Sequence, residues 1–352
     1  MSYKVDIDMN EEEKNKNDLN KFFEGNPDID FKQTEEFDVI ISKIRVKNEN
    51  GEKLLGKKKG FYSTLELPQL TYYDGEMMDK IGLMFGNVLK DFVKMDPSKT
   101  ALVIGLGNWN VTPDSLGPKV ISKLFVTRHL KEIAKDTIGQ DISSVCALSP
   151  GVLGITGIET SEIVKSLVDK VNPDYVICVD SLAARKVSRL NTTIQIGSTG
   201  INPGAGVNNH RTSINEETLG VPVIGIGIPT VVDAITIVSD SIDSILKNIL
   251  KNFSEDVEKN FLNDETKLEI IRKQLSLSMG KMIVTPKDVD SVIESMSKMI
   301  AKGINIALHP NIDIQSLNNF MGWILKFLII KKKPPHIIFY EGVKLYAICE
   351  EK

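Results

Sequence analysis

The 352-residue sequence is poor in the residues and motifs on which many common catalytic sites are built. Its three cysteines are odd in number and lack CxxC spacing, which predicts reduced packing residues in a cytosolic-type compartment. None of the four histidines stands in an HExxH arrangement, so a dedicated zinc site is disfavoured. No GxSxG motif supports Ser-His-Asp chemistry.

A basic excess and a long apolar segment are also missing. The formal net charge is −4, so no basic footprint indicates a nucleic-acid partner. The apolar stretch 320–330 is interrupted by Lys326 and is too short to span a bilayer, and the acidic N-terminus has no apolar region typical of a secretory signal. With 41% hydrophobic and 26% charged residues, the composition fits a soluble globular protein of one large domain or two smaller ones.

The negative charge is concentrated at the start of the chain. Residues 1–36 carry eleven acidic and five basic side chains, a local net charge of −6, whereas the remainder has +2. This polar segment is predicted to be a detachable or inhibitory leader, and a solvated, frayed terminus is the common alternative.

Strand-like and helical patterns alternate through the rest of the chain. Apolar runs predict strands at 37–46, 101–106, 144–148, 175–179, 192–196 and 221–228. Helical spacing predicts helices at 76–95, 117–130, 160–171, 231–250 and 289–303. Asn48-Glu-Asn-Gly51 predicts a hairpin-type turn, and residues near 252–282 a charged helical insertion. The alternation predicts an α/β fold with a mostly parallel sheet covered on both faces.

Three aspartates follow predicted strands, and they are the candidates for chemistry. Asp114, Asp180 and Asp233 come after the strands at 101–106, 175–179 and 221–228. Ligands of open α/β sheets bind outside the carboxyl ends of the strands. Two carboxylates there can share a proton, so that one activates water while the other polarises a carbonyl.

Two of these aspartates also have an ordinary structural explanation. Asp114 and Asp180 can be helix N-caps, and Asp180 can form an ion pair with Arg185. The spacing alone does not select two of the three. Gly105-Leu-Gly-Asn-Trp-Asn110 resembles half of a dinucleotide fingerprint, but its third glycine is absent and the acidic Asp114 would oppose a pyrophosphate.

A set of ordered motifs across about residues 38–315 resembles the germination protease family, the endopeptidases that degrade small acid-soluble spore proteins. The motifs are Gly56-Lys-Lys-Lys-Gly60, Val111-Thr-Pro-Asp-Ser-Leu-Gly-Pro-Lys119, Thr127-Arg-His-Leu130, Pro150-Gly-Val-Leu-Gly-Ile-Thr-Gly-Ile-Glu-Thr160, Asp180-Ser-Leu-Ala-Ala-Arg185, Gly225-Ile-Gly-Ile-Pro-Thr-Val-Val-Asp-Ala234, Val284-Thr-Pro-Lys287 and Gly303-Ile-Asn-Ile-Ala-Leu-His309. Together they are highly specific.

The resemblance implies a three-layer α/β/α fold similar to that of hydrogenase-maturation proteases, with a peripheral β hairpin added. It implies a homotetrameric zymogen of the spore cytoplasm that needs no cofactor, and it puts the catalytic roles on Asp114 and Asp180. Supporting roles near them are expected for Asn108, Thr112, Arg185 and Asp233. A metal is not excluded, and in that alternative the aspartates would be ligands together with His129 or His210.

The resemblance also divides the chain. It implies a propeptide at residues 1–8, with cleavage between Asp8 and Met9 and a possible acidic leader up to residue 36. A single peptidase domain is expected at 9–315, and residues 316–352 form a divergent extension without a family counterpart. A non-catalytic spore-protein binder is the alternative from another functional class.

Overall fold

A mixed nine-stranded sheet runs through the residues that the computed structural model describes, which are 23, 25–68, 75–133, 142–203, 212–250, 273 and 282–312. Its strands are β1 (Ile29–Glu36), β2 (Val39–Val46), β3 (Gly60–Glu66), β4 (Thr100–Gly105), β5 (Ser144–Leu148), β6 (Tyr175–Ala184), β7 (Thr193–Gly197), β8 (Val223–Asp233) and β9 (Ile283–Val284). The predicted junction at Asp8 and Met9, His210, most of the insertion near 252–282 and the extension 316–352 lie outside these residues.

The strand order is β1-β2-β3-β7-β8-β6-β4-β5, with β9 paired to β8. The neighbouring strands β8, β6, β4 and β5 are parallel. On the other side of β8, the sheet continues through β7, β3, β2 and β1, and each of these strands is antiparallel to its neighbours. The predicted α/β class with a mostly parallel core is therefore confirmed.

Helices cover both faces of the parallel strands. They are α1 (Glu49–Leu55), α2 (Gly75–Leu89), α3 (Leu116–Ile121), α4 (Arg128–Ile133), α5 (Leu153–Thr156), α6 (Thr160–Val171), α7 (Glu216–Leu219), α8 (Ala234–Leu250) and α9 (Val289–Leu308). One buried cluster joins α2, α3 and α9 to the sheet, and a second joins α6 and α7 to its opposite face. Within the described ranges, no helix has the length and apolar character needed to cross a membrane.

The alternating side chains of the strands explain these two clusters. Val103 of β4 and Ile177 of β6 belong to the first cluster, whereas Leu102 and Cys178 belong to the second. Successive residues of a strand point to opposite faces of the sheet. The parallel strands therefore read as continuous apolar runs, since both of their faces are buried.

The N-terminal part differs from the prediction in two places. Ile29–Glu36 forms the edge strand β1 where a polar leader was expected. Only Ile29 and Phe31 of this strand are apolar, so its sequence shows little strand pattern. The predicted turn at Asn48 begins helix α1 instead. The Asn48 side chain accepts hydrogen bonds from the backbone N–H groups of Asn50 and Gly51, so it acts as an N-cap.

The central part differs in the lengths of elements. The predicted helix 117–130 is divided into α3 and α4. Strands β6 and β8 continue beyond the predicted ends at residues 179 and 228, so Asp180 lies within β6 and Pro229 within β8. The register between β6 and β8 shifts after Leu182, which is paired with Pro229. Such a shift accommodates a proline in a strand, where it cannot donate a ladder hydrogen bond.

Helix α3 lies in direct backbone contact with the ends of β4 and β6. A Cβ atom on Gly117 would be 2.2 Å from the Leu106 carbonyl oxygen and 2.7 Å from that of Val179. A Cβ on Gly105 would be 2.3 Å from the Gly117 carbonyl oxygen. Because these neighbours are backbone atoms, they cannot move aside as a flexible side chain can.

We therefore expect Gly117→Ala to destabilise the fold by more than about 3 kcal/mol, as overpacking a rigid site does. Gly154→Ala is the control, because Gly154 lies in helix α5 with no atom near its missing Cβ. That change should leave stability unchanged or raise it by up to about 1 kcal/mol. Denaturant unfolding of both variants tests this, and equal stabilities would contradict the packing described here.

A buried histidine ends helix α9. His309 is 1% exposed, its Nε2 lies 3.2 Å from the Phe125 carbonyl oxygen, and its ring packs on that of Phe125. Burial lowers the pKa of His309 to about 4, and the nearby charge of Lys131 acts in the same direction against the hydrogen bond to Phe125. The imidazole is therefore neutral at pH 7.

This histidine should make the fold sensitive to acid. Its folded-state pKa is below the value of 6.5 of an unperturbed histidine, so the unfolded chain takes up a proton first and stability is lost as pH falls from about 6.5 to about 4. Between pH 7.5 and pH 4.5, the unfolding free energy should fall by about 2 kcal/mol more in the unmutated protein than in His309→Gln. Equal losses in denaturant titrations would show that His309 does not carry this effect.

Candidate active site

Asp114 lies on a short helical turn before α3. The 3-10 turn spans Thr112–Asp114, and the Asp114 N–H donates to the Val111 carbonyl oxygen at 2.8 Å. The Asp114 carbonyl oxygen accepts from the Asn108 N–H at 3.0 Å. Helix α3 begins at Leu116, and its N-cap residue is Ser115. The N-cap position predicted as an alternative for Asp114 is therefore occupied by Ser115.

The glycines of the incomplete dinucleotide fingerprint serve this turn. Gly107 has φ +111°, and a Cβ there would be 2.0 Å from the Asp114 carbonyl oxygen and 3.2 Å from Asp114 Oδ1. A glycine is required at such a backbone conformation and at so close an approach. Gly105 is likewise occupied by contact with Gly117. These glycines allow close contact between segments of the protein, which gives their spacing a structural explanation.

Asp180 lies within β6 and is almost fully buried. The residue is 7% exposed, and its Oδ1 accepts a hydrogen bond from the Ser181 N–H at 2.9 Å. Burial raises the pKa of the neighbouring Cys178 thiol, and the negative charge of Asp180 adds to that rise. Asp180 is therefore neither a helix cap nor a surface carboxylate.

The fold brings the two aspartates to the same carboxyl edge of the parallel sheet. The Leu106 N–H donates to the Val179 carbonyl oxygen at 2.8 Å, and Gly117 packs on both of these residues. Asp180 directly follows Val179, and Asp114 precedes Gly117 by three residues. The Asp114 turn also packs against β6 and β8. Asp114 and Asp180 thus both lie close in the chain to one backbone contact at this edge.

Asp233, the third candidate, has a structural role. It is the exposed last residue of β8, and its Oδ1 accepts a hydrogen bond from the Ile235 N–H at 2.7 Å. Helix α8 begins at Ala234, so this bond is an N-cap. The capping explanation, which the sequence offered for Asp114 and Asp180, therefore holds for Asp233 instead.

The other expected supporting residues lie around the Asp114 turn and the end of β6. Asn108 Oδ1 accepts from the Asn110 N–H at 3.0 Å and so stiffens the loop after β4. Thr112 Oγ1 donates to Asp290 Oδ1 at 3.0 Å, which ties the turn to the first turn of α9. Arg185 is exposed immediately after β6.

Two further residues of the turn's surroundings escape the sequence analysis. Thr230 Oγ1 donates to the Pro113 carbonyl oxygen at 2.7 Å, and Thr285 Oγ1 donates to the Thr230 carbonyl oxygen at 2.9 Å. The predicted strand ended at residue 228 and the predicted helix began at residue 289, so both threonines lay outside the predicted elements. Both threonines stand in the motifs Gly225–Ala234 and Val284–Lys287, which is the signal that could have found them.

The metal alternative lacks a cluster of ligands in the part of the chain that the structure describes. No group of three His, Cys, Asp or Glu side chains there can hold a metal ion. His129 is exposed on α4. The residue before that helix, Thr127, bonds to the Ser143 and Val145 backbone at the start of β5. Helix α4 therefore begins at the amino-terminal ends of the parallel strands, whereas Asp114 and Asp180 lie at their carboxyl ends.

Exposed apolar side chains surround the carboxyl edge. They come from the segments that follow β4, β5 and β6, and at least a third of each residue is exposed: Trp109, Val111, Leu153, Ile155, Ile158 and Val187. We call these six side chains the apolar rim, since exposed apolar patches are typical of binding sites for other molecules.

Comparison with known proteins assigns the chain to a family. A family model described as germination protease matches residues 5–261 and 257–321. A germination protease of Clostridium perfringens is 50% identical over 294 residues, covering 82% of this chain and 90% of the relative. The corresponding values are 47% over 302 residues for Clostridium tetani, with coverages of 84% and 93%, and 40% over 326 residues for Bacillus pumilus, with coverages of 82% and 88%.

Among solved structures, a [NiFe] hydrogenase maturation protease from Thermococcus kodakarensis matches with a TM-score of 0.26 and 19% identity, over 41% of this chain and 80% of that one. The sequence relatives and the family model cover most of the chain at high identity. The chain therefore belongs to the germination protease family and is a peptidase.

Proposed function

We propose that the chain is an endopeptidase that begins the degradation of small acid-soluble, DNA-binding spore proteins during germination, and that Asp114 and Asp180 activate the attacking water. One observation carries the catalytic part of this proposal. Asp114 and Asp180 lie next to one backbone contact at the carboxyl edge of the parallel sheet, whereas Asp233 caps α8. Membership of the germination protease family supports the substrate class.

The proposed chemistry uses the two carboxyl groups as one unit. One carboxylate removes a proton from the water, and the other, protonated, stabilises the oxyanion that develops on the scissile carbonyl. The burial of Asp180 supports this division, because a low-dielectric environment disfavours a second negative charge beside the first.

The apolar rim supports a polypeptide as the substrate. Trp109 is 53% exposed and Ile155 is 60% exposed, and they lie in segments that follow the neighbouring strands β4 and β5. An extended segment of a protein substrate can bury these side chains while its scissile bond reaches Asp114 and Asp180. Burial of apolar area contributes about 25 cal/mol per Å² to such binding.

The proposal includes a precursor form. The chain is made as a zymogen that removes residues 1–8 by cutting between Asp8 and Met9, and it works as a homotetramer in the cytoplasm of the spore. The acidic leader gives a physical route to control, since protonation of its carboxylates and of the catalytic pair both respond to acid.

Asp114→Asn and Asp180→Asn should each lower kcat/KM for a purified small acid-soluble spore protein by at least about 1,000-fold, because each removes a proton-transfer or oxyanion group. Asp233→Asn is the matched control and should remain within about threefold, since asparagine is an equally good N-cap. Normal cleavage by both site variants would rule out the aspartate mechanism. Activity that chelators abolish and a metal ion restores would favour a metal-dependent peptidase instead.

The precursor can be tested separately by intact mass and N-terminal sequencing. Incubation of the purified full chain at mildly acidic pH should remove eight residues and expose Met9, and Asp114→Asn should prevent this if the chain cuts itself. A different new N-terminus, such as one near Thr34–Phe37, would move the junction. Shortening in the Asp114→Asn protein would point to a contaminating protease.

A further inference from the structure

We propose that Thr230 is a positioning residue, which holds the Asp114 turn in the geometry that the reaction needs. This inference rests on the proposed function, in which Asp114 acts on the water. Thr230 is 0% exposed, and its Oγ1 donates to the Pro113 carbonyl oxygen at 2.7 Å. The peptide group that contains this oxygen also contains the backbone nitrogen of Asp114. The hydroxyl therefore fixes the orientation of the peptide plane that immediately precedes the Asp114 Cα atom.

The strand is irregular at the point where Thr230 reaches the turn. Leu182 of β6 is paired with Pro229, and the next residue, Ala183, is paired with Val231. Thr230 is therefore the extra residue of a β-bulge. A bulge changes the direction of a side chain relative to regular alternation and is common beside active sites. Thr230, the extra residue of this bulge, is the residue that donates the hydrogen bond to the Pro113 carbonyl oxygen.

Thr230 is itself held in place from the other side. Its carbonyl oxygen accepts a hydrogen bond from Thr285 Oγ1 at 2.9 Å. A chain of bonds thus runs from Thr285 through Thr230 to Pro113 and the Asp114 turn. Because Thr230 is buried and bonded at both ends, its rotamer and its distance to the turn have little freedom.

The second tether of the turn is weaker. Thr112 Oγ1 donates to Asp290 Oδ1 at 3.0 Å, but Asp290 is exposed, so water can replace this bond. Water cannot easily replace the buried hydroxyl of Thr230. Removing that hydroxyl leaves the Pro113 carbonyl oxygen without this donor and allows the turn to shift. A misplacement of about 1 Å in a catalytic group can cost on the order of 100-fold in rate.

The test compares Thr230→Val, which has the same shape without the hydroxyl, with Thr230→Ser, which keeps it. For cleavage of a purified small acid-soluble spore protein, we expect Thr230→Val to lower kcat by about 10- to 100-fold with KM changed less than threefold. Thr230→Ser should remain within threefold of the unmutated protein. Thr127→Val is the control, because Thr127 is equally buried and bonds backbone at the opposite edge of the sheet.

Three outcomes in active protein bear on the proposal. Loss in Thr230→Val with rescue by Thr230→Ser and normal kcat in Thr127→Val supports it. Normal kcat in Thr230→Val overturns it. Equal losses of kcat in Thr230→Val and Thr127→Val, together with equal falls in Tm, also overturn it, since the effect would then be one of general stability.

A readout without substrate separates this proposal from the proposed function. In Thr230→Val, amide hydrogen exchange of the peptide covering residues 108–116 should be at least tenfold faster, with no such change in Thr127→Val. If the unmutated protein cleaves no spore protein, the proposed function fails. In that case faster exchange still supports the tether of the turn, and unchanged exchange overturns it.

Discussion

Close backbone contact between the start of α3 and the ends of β4 and β6 is the constraint on which the site depends. Gly105 and Gly117 allow this contact, and Gly107 lets the loop pass directly under the Asp114 turn. A Cβ atom at any of the three would lie within 2.3 Å of a backbone oxygen. The helix and strands can approach no further, so the position of the turn relative to Asp180 is set by hard contacts. The mechanism that we propose uses the buried carboxylate of Asp180 on a strand and that of Asp114 on a tethered turn.

The sequence predicts the α/β class and most elements of the parallel core, because strands buried on both faces have unmistakable apolar runs. It fails where local signals are ambiguous. Asn48 reads as a turn residue but caps α1, and both functions use the same side-chain acceptor. Ile29–Glu36 has charged residues on its solvent face and is a strand only through pairing with β2. Register and pairing partner come from tertiary contacts that a local pattern does not contain.

The candidate site is predictable to a similar degree. Spacing identifies three aspartates, and only the resemblance to a family chooses Asp114 and Asp180 among them. The structure adds the physical distinction that Asp233 caps α8. It also adds Thr230, whose role depends on a β-bulge and on the position of Pro113, 117 residues earlier in the chain. The motif Gly225–Ala234 marks the segment that contains Thr230, but it does not indicate the distant partner of this bond.

The central claim is that Asp114 and Asp180 work as one catalytic unit, and a double-mutant cycle measures this most directly. The rate constants for cleavage of one spore protein would be compared for Asp114→Asn, Asp180→Asn and the variant with both changes. If the two carboxyl groups act together on one water, the double variant should retain nearly the same residual kcat as the slower single variant. If the two losses multiply, the groups act independently, and the paired mechanism is wrong.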